Sequence, residues 1–281
     1  MNTIIGIDQL RTIAADIRRD IVTMVYHAKA GHPGGSLSAV ELVTALYFAE
    51  MNIDPSRPDW EDRDRFILSK GHACPVVYAA LARRGYFPVS ELSTLRALNS
   101  RLQGHPDMKK TPGLDMTSGS LGQGLSIGVG MALGAELTGR EFRVYVLLGD
   151  GELQEGMVWE SAMSAAKYRL DNLVAIVDYN GLQVDGRVTD VMDIEPLRSK
   201  WAAFNWAVTE IDGHSFREIL NAFNWARKQA RPSVIIAHTV KGKGVSFMEN
   251  KVDWHGKAPN ESQWHQALQE IEVRAGGPEP F

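Results

Sequence analysis

The sequence has a single cysteine and no long apolar run. Cys74 stands alone among 281 residues, so no disulfide can form within the chain, which favours a reducing, cytoplasmic location. No apolar run approaches the ~20 residues that a membrane span needs, and charged residues come too early for a secretory signal. We therefore expect a cytoplasmic protein without membrane contact. Cys74 itself is interpreted as a small buried residue rather than a nucleophile.

A surplus of basic charge is also absent. The chain has 30 Lys and Arg against 34 Asp and Glu, for a net charge of −4, and its basic residues are scattered. Nucleic acid is therefore not an expected partner. Hydrophobic residues make up 44% of the chain, enough for a large core.

Helical and strand patterns alternate along the chain. Four apolar runs predict strands: RFILS (65–69), RVYVLLG (143–149), NLVAIVDYN (172–180) and SVIIAHTV (233–240). Because these runs are continuous rather than alternating, both faces of each strand are expected to be covered. The pattern predicts an α/β fold, a mostly parallel sheet with helices on both faces. Residues 1–250 are predicted to form this domain, and the polar residues 251–281 an extended tail that carries His255.

An acid stands between two glycines where the second predicted strand ends. Asp150 follows the run that ends at Gly149, and Asn180 ends the next run, with 28 residues between Gly151 and Asn180. Ligands bind at the carboxyl ends of parallel strands, and these two tips lie close together if the strands are neighbours. Carboxylate and amide oxygens suit a divalent cation beside a phosphorylated ligand. A tight turn, with Asp150 capping the next helix, explains the spacing equally well.

A family resemblance favours the cation site. The GDG sequence, 28 residues and an Asn resemble the thiamine-diphosphate signature of the transketolase superfamily. Seven further blocks resemble transketolase in order: AGHPGGSLSAVEL (30–42), LSKGHACPVVYAAL (68–81), QGHPD (103–107), TSGSLGQGLSIGVGMAL (117–133), DYNGLQVDG (178–186), DGHSF (212–216) and HTVKGKGVSFMEN (238–250). The resemblance covers residues ~8 to ~260 and implies the diphosphate-binding domain of the thiamine-diphosphate fold.

The resemblance also implies a cofactor site. Thiamine diphosphate would be held with Mg²⁺, or Ca²⁺ or Mn²⁺ in its place, and the metal ligands would be Asp150, the Asn180 side chain and the Leu182 carbonyl. The predicted cofactor-binding residues are His72, Gly119, Ser120, Leu121, Gly151, Glu152, Asn180 and His255. The family commonly has proline at position 120, so Ser120 is a departure.

Four residues are expected by the same resemblance to take part in catalysis. His32 and His105 match histidines that hydrogen-bond donor-sugar hydroxyls and help to move protons. His255 matches a histidine beside the diphosphate. Glu155 matches an acid that reaches across a subunit interface. His32 and His105 lie in Gly-His-Pro turns, and without the resemblance structural capping explains such turns about as well.

For each of two further motifs, the sequence leaves two interpretations open. His214 either caps the helix that begins near Ser215 or binds a ligand. The sequence KGKG (241–244) either cradles a phosphate or forms a solvated turn.

The resemblance implies one half of a split transketolase, transferring a two-carbon ketol unit between sugar phosphates in carbohydrate metabolism such as the pentose phosphate pathway. The partner would be a separate subunit with the pyrimidine-binding and C-terminal domains, in an assembly with two copies of each chain. Two alternatives remain at this point, namely the alpha chain of a 2-oxo acid dehydrogenase and a non-catalytic cofactor-binding module.

Overall fold

The structure, a computed structural model, describes residues 5–276. Its centre is a five-stranded, fully parallel sheet in the order β1-β2-β3-β7-β6, beside a short antiparallel hairpin of β4 and β5. The strands are β1 Arg65–Leu68, β2 Val144–Gly149, β3 Leu173–Tyr179, β4 Leu182–Gln183, β5 Gly186–Arg187, β6 Ala207–Asp212 and β7 Ser233–His238. All four predicted strands are therefore confirmed.

Helices cover both faces of the sheet. The α-helices are α1 Ile7–Ala28, α2 Pro33–Leu37, α3 Val40–Ala45, α4 Cys74–Arg84, α5 Gln123–Thr138, α6 Gly156–Tyr168, α7 Val188–Val191, α8 Leu197–Ala203, α9 Phe216–Ala226 and α10 Glu261–Ala275. A π-helical turn, Leu46–Glu50, continues α3, and short 3-10 turns lie at Gly71–Ala73, Val89–Thr94, Gly151–Gln154 and Val252–His255. No helix among residues 5–276 is both long enough and apolar enough to cross a membrane.

Strand β2 shows why its sequence is a continuous apolar run. Tyr145 and Leu147 belong to the core shared with α1, α3 and α4, whereas Val144, Val146 and Leu148 belong to the core on the opposite face. Successive side chains of a strand point to opposite faces, so a strand covered on both sides needs apolar residues at every position. The predicted fold class is thereby confirmed.

Strand β6 was not predicted. It pairs only with β7, at the edge of the sheet, and Glu210 and Asp212 are exposed. An edge strand with one solvated face lacks the continuous apolar run by which the other strands were recognised.

The extended tail was wrong for residues 261–275, which form α10. Asn260 and Gln263 make a reciprocal capping box at its start, and Trp264 stacks on Tyr26 of α1 with ring centroids 4.4 Å apart. Ala267 and Ile271 are fully buried against the same helix, so a narrow apolar stripe is enough to fix an otherwise polar helix. The end of the predicted tail, 277–281, lies outside the described residues, and the division at residue 250 stays a prediction.

Candidate functional site

The ends of β2 and β3 meet where the sequence places its two polar side chains. The strands pair with Gly149 opposite Asp178, so Asp150 and the segment after Tyr179 leave the sheet side by side. The Asp150 carboxylate accepts hydrogen bonds from the backbone N–H groups of Gly181, at 2.5 Å, and Gly151, at 2.8 Å. Asp150 also caps the short 3-10 turn Gly151–Gln154. The predicted tight turn and the convergence of the two strand ends are therefore both present.

The charge state of Asp150 affects its ability to bind a cation. The side chain is buried, and burial, reinforced by the nearby Asp178 carboxylate, raises the pKa of Asp150 to about 6. A buried carboxylate is stabilised in its charged form by an adjacent cation. No cluster of three or more His, Cys, Asp and Glu residues suited to a metal occurs within residues 5–276. The oxygen donors of Asp150, Asn180 and the Leu182 carbonyl nevertheless form a set that Mg²⁺ and Ca²⁺ accept, and they fit such an ion.

A cavity of about 260 Å³ opens beside these strand ends. The predicted site residues that line it are His72, Leu121, Asp150, Gly151, Glu152, Glu155, Asn180, Leu182 and His255. A larger groove of about 840 Å³ lies near Arg11 and Arg217, but it contains none of the predicted site residues. We therefore take the smaller cavity as the candidate site.

Three histidines meet at one side of this cavity. The ring centroids of His32, His72 and His255 are separated by 5.1 to 5.5 Å. Burial, assisted by neighbouring positive charges, lowers the pKa of His72 to about 2 and those of His32 and His255 to about 4. All three imidazoles are thus neutral near pH 7. The Nδ1 atom of His32 is buried and has no hydrogen-bond partner among the described residues.

The remaining predicted residues lie around the mouth of the cavity. His105 is exposed, and an added Cβ at Gly119 would lie 3.7 Å from its ring. Gly119 and Ser120 are exposed in the loop before α5, and Glu155 is exposed between the 3-10 turn and α6. The structure therefore brings these residues to one end of the sheet and leaves their side uncovered.

Glu152 lines the cavity, but its carboxylate oxygens bind groups of the protein. Its carboxylate accepts hydrogen bonds from the Ser69 hydroxyl and from the backbone N–H groups of Gly122, at 2.9 Å, and Gly149, at 3.0 Å. Gly122 has a φ of +83°, and an added Cβ would lie 2.7 Å from the Cβ of Glu155, so this position requires glycine. Glu152 consequently joins the loop before α5 to the ends of β1 and β2.

A buried ion pair forms the floor of the cavity. The Lys70 ammonium contacts the Asp178 carboxylate and donates a 2.7 Å hydrogen bond to the Gly35 carbonyl. Asp178 also accepts hydrogen bonds from the hydroxyls of Ser38 and Thr239, and although burial opposes it, Lys70 with these donors lowers the pKa of Asp178. Asp178 is therefore a charged partner that holds Lys70 in place.

A second buried lysine enters the cavity from KGKG. Lys241 Nζ donates hydrogen bonds to the Leu182 carbonyl, at 2.8 Å, and to His255 Nδ1, at 3.0 Å. Burial lowers the pKa of Lys241 to about 8. Since Lys241 is only 2% exposed, the solvated-turn alternative is wrong for this residue.

Sequence reasoning assigned no role to Lys70 or Asp178, and it left two alternatives open for the KGKG segment that contains Lys241. One signal was present, because Asp178 interrupts the apolar run of β3 and Lys70 follows that of β1 with only Ser69 between. An acid and a base near the carboxyl ends of parallel strands are candidates for an ion pair, but their pairing depends on packing that the sequence does not state. The expectation for Cys74 is confirmed, since it is buried and burial raises the pKa of its thiol to about 12.

Comparison with known families gives one match over most of the chain. Residues 9–274 match the transketolase, thiamine diphosphate binding domain. A 6-deoxy-6-sulfo-D-fructose transketolase subunit SqwG from Clostridium sp. (strain MSTE9) is 49% identical over 86% of this chain and 88% of the relative. An apulose-4-phosphate transketolase subunit from Phocaeicola vulgatus is 43% identical over 92% of each chain.

A solved structure agrees with these sequence matches. Transketolase from Campylobacter jejuni superposes with a TM-score of 0.90 at 30% identity, over 95% of this chain. The present chain spans only 43% of that transketolase, whereas it spans most of the two subunit relatives.

Proposed function

The chain belongs to the transketolase family, and on that premise we propose that it is the subunit of a split transketolase that holds the diphosphate and metal of thiamine diphosphate. The enzyme transfers a two-carbon ketol unit. The observation that carries the proposal is the cavity at the ends of β2 and β3, where Asp150, Asn180, His72 and His255 converge. The family match favours this function over the 2-oxo acid dehydrogenase alternative.

The metal would be Mg²⁺, bound by Asp150, the Asn180 side chain and the Leu182 carbonyl. The buried carboxylate of Asp150, whose pKa is raised to about 6 by burial and by Asp178, supports this assignment because an adjacent cation would stabilise its charged form. The Gly151 backbone, His72 and His255 would contact the diphosphate, with Lys70 and Lys241 supplying positive charge to the cavity.

Thiamine diphosphate supplies an electron sink at its thiazolium ring, and the protein supplies orientation and electrostatics. His32 would donate or accept a hydrogen bond at a sugar hydroxyl, since its ring lies beside those of His72 and His255, which line the cavity. His105, exposed beside Gly119, would contact the same substrate and help to move its proton. Glu155 would meet the partner subunit, and Gly119, Ser120 and Leu121 would line the thiamine.

A separate partner subunit would complete the site with its pyrimidine-binding and C-terminal domains. Exposed apolar side chains on two neighbouring helices support this: Leu137 of α5 is 79% exposed and Met163 of α6 is 60% exposed. Patches of exposed apolar side chains mark interaction surfaces in soluble proteins. We propose an assembly with two copies of each chain and two-fold symmetry.

The sugar substrates and the location belong to the proposal as well. The names of the two subunit relatives refer to different sugars, a sulfo-sugar and apulose 4-phosphate, so a pentose phosphate role is one proposal within a wider range of carbohydrate chemistry. A cytoplasmic location stays a prediction from the single cysteine.

The direct test is ketol transfer by the chain together with its partner subunit, with thiamine diphosphate and Mg²⁺ present. We expect turnover that requires both chains, the cofactor and the metal. Absence of metal-dependent thiamine diphosphate binding by the folded chain would contradict the proposed function.

A further inference from the structure

Three side chains from different parts of the fold, none of which lines the candidate cavity, form one buried series of contacts. Arg18 of α1 pairs with Glu41 of α3 at 2.6 Å, and the other carboxylate oxygen of Glu41 lies 2.9 Å from His214 Nδ1. The side chains of Arg18 and Glu41 are at most 1% exposed, and that of His214 is 9% exposed. We call this series the Arg18–Glu41–His214 network.

Both ends of the network hold the segment that contains Lys241. At one end, His214 Nε2 accepts a 2.9 Å hydrogen bond from the Val240 N–H. At the other end, Arg18 Nε donates a 3.2 Å hydrogen bond to the Lys243 carbonyl. Lys241 lies between these two points, with its ammonium in the cavity.

The hydrogen bonds also fix the tautomer of His214. Because Nε2 accepts from a backbone N–H, the ring proton lies on Nδ1 and is donated to Glu41. Burial alone would raise the pKa of Glu41, but Arg18 and His214 together lower it to about 2. Glu41 is therefore an anion, and its two carboxylate oxygens orient Arg18 on one side and His214 on the other.

Stability alone does not account for such a network. Buried ion pairs are often no more stabilising than apolar side chains of similar size, because removing charges from water costs as much as their attraction returns. Apolar residues at these positions would fill the space, but they could not bind the Val240 N–H and the Lys243 carbonyl. What the network adds is a defined position for that segment.

We propose that the Arg18–Glu41–His214 network is a positioning device that fixes Lys241 in the cofactor cavity. The inference concerns the geometry of Lys241, and its consequence for the cofactor rests on the proposed function. The segment has other backbone contacts, from Gly242 to Gly34 and from Asn250 to Lys241. The experiment must therefore isolate the contribution of the network.

Acylation of lysine amines by sulfosuccinimidyl acetate, mapped by peptide mass spectrometry, reports the position of Lys241 without any cofactor. His214→Leu removes both hydrogen bonds of the ring. His214→Gln keeps one donor and one acceptor at similar spacing and is the matched control. Lys70, equally buried in the same cavity but held by Asp178, is the internal reference.

We expect His214→Leu to raise the acylation rate of Lys241 roughly tenfold, which corresponds to the loss of a charge-assisted hydrogen-bond network, and to leave Lys70 unchanged. His214→Gln should restore most of the protection. An unchanged rate at Lys241, or an equal rise at Lys70, would overturn the inference. If His214→Leu does not fold, His214→Asn, too short to reach both partners, replaces it.

A double-mutant cycle on thiamine diphosphate binding then tests whether the network acts through Lys241. With Mg²⁺ present, His214→Leu should raise the Kd for the cofactor roughly tenfold in the natural chain and leave it unchanged when Lys241→Met is already present. An equal effect in both backgrounds would overturn the inference. Failure of the natural chain to bind the cofactor would instead contradict the proposed function, and the acylation result would still decide the inference.

Discussion

Asp150 accepts a 2.5 Å hydrogen bond from the backbone N–H of Gly181, which joins the ends of two adjacent strands directly beside Asn180. We therefore expect Asp150→Ala and Asn180→Ala each to abolish metal-dependent binding of thiamine diphosphate, because each removes an oxygen donor from the proposed metal site. Titration calorimetry on folded variants, checked by circular dichroism, measures the affinity.

The control for these two variants is Asp171→Ala. Asp171 is exposed and precedes β3 at the opposite end of the strand from Asn180, so its loss also removes a carboxylate but leaves the cavity unchanged. Metal-dependent affinity equal to that of the control in either site variant would remove that residue from the proposed metal site.

The buried pair of Lys70 and Asp178 gives a prediction about stability. Asp178→Asn leaves the Lys70 ammonium buried without a counter-charge, so the free energy of unfolding should fall by about 3–5 kcal/mol. The double variant Lys70→Met with Asp178→Leu should lose less, because it removes both charges. Urea unfolding measures both, and a double variant less stable than Asp178→Asn would show that the unpaired charge is not the cause.

The neutral histidines predict a dependence of stability on pH. The unfolded chain protonates His72 near pH 6.5, whereas the folded chain does so only near pH 2, because burial and the neighbours Lys70, His255, His32 and Lys241 oppose the charge. The unfolded state binds more protons between these values, so the free energy of unfolding falls as the pH drops below 6.5.

His72→Gln should weaken this dependence. The change in the free energy of unfolding between pH 7 and pH 5 should become smaller by up to about 2 kcal/mol, as measured by urea unfolding without cofactor. His265→Gln, on the exposed side of α10, is the control. An identical pH dependence in His72→Gln and the natural chain would mean that His72 is not held neutral by the fold.

His32 and His105 are expected to act on substrate rather than on cofactor. In the complete two-chain enzyme, His32→Ala and His105→Ala should each lower kcat/KM for a ketose donor roughly 5- to 150-fold, the loss of one hydrogen bond in the transition state. Cofactor affinity should change much less, and His265→Ala should change neither quantity. Normal kcat/KM in both site variants would remove these histidines from the substrate site.

The sequence predicted the sheet well because both of its faces are buried. Apolar runs such as that of β2 are the direct consequence of two covering layers, and Asp150 and Asn180 were expected to meet if their strands are neighbours, which the pairing of β2 with β3 shows. Strand β6 and helix α10 were missed because each buries a single narrow face. Their patterns are local and weak, and tertiary packing, such as Trp264 on Tyr26, decides their structure.

The site was predicted less completely than the sheet. Residues within recognisable motifs, such as His72 and Asp150, were predicted and line one cavity, whereas Lys70 and Asp178 were not assigned and Lys241 was left open within KGKG. These three are placed by contacts between segments far apart in the chain, for example the 2.8 Å contact of Lys241 with the Leu182 carbonyl. Periodicity and spacing carry no information about such contacts.

The last prediction concerns the isolated chain. We expect no ketol transfer by it, even when saturated with thiamine diphosphate and Mg²⁺, and activity when the partner subunit is added. In the proposed function the cavity would hold the diphosphate end of a long cofactor, whereas the aminopyrimidine would need a second surface with a carboxylic acid at the ring nitrogen and apolar walls. Since Leu137 and Met163 are exposed, the chain alone should self-associate, which light scattering detects. Ketol transfer measured on a chain verified free of partner decides the matter: robust turnover would place the acid within residues 1–281 and exclude the two-subunit site.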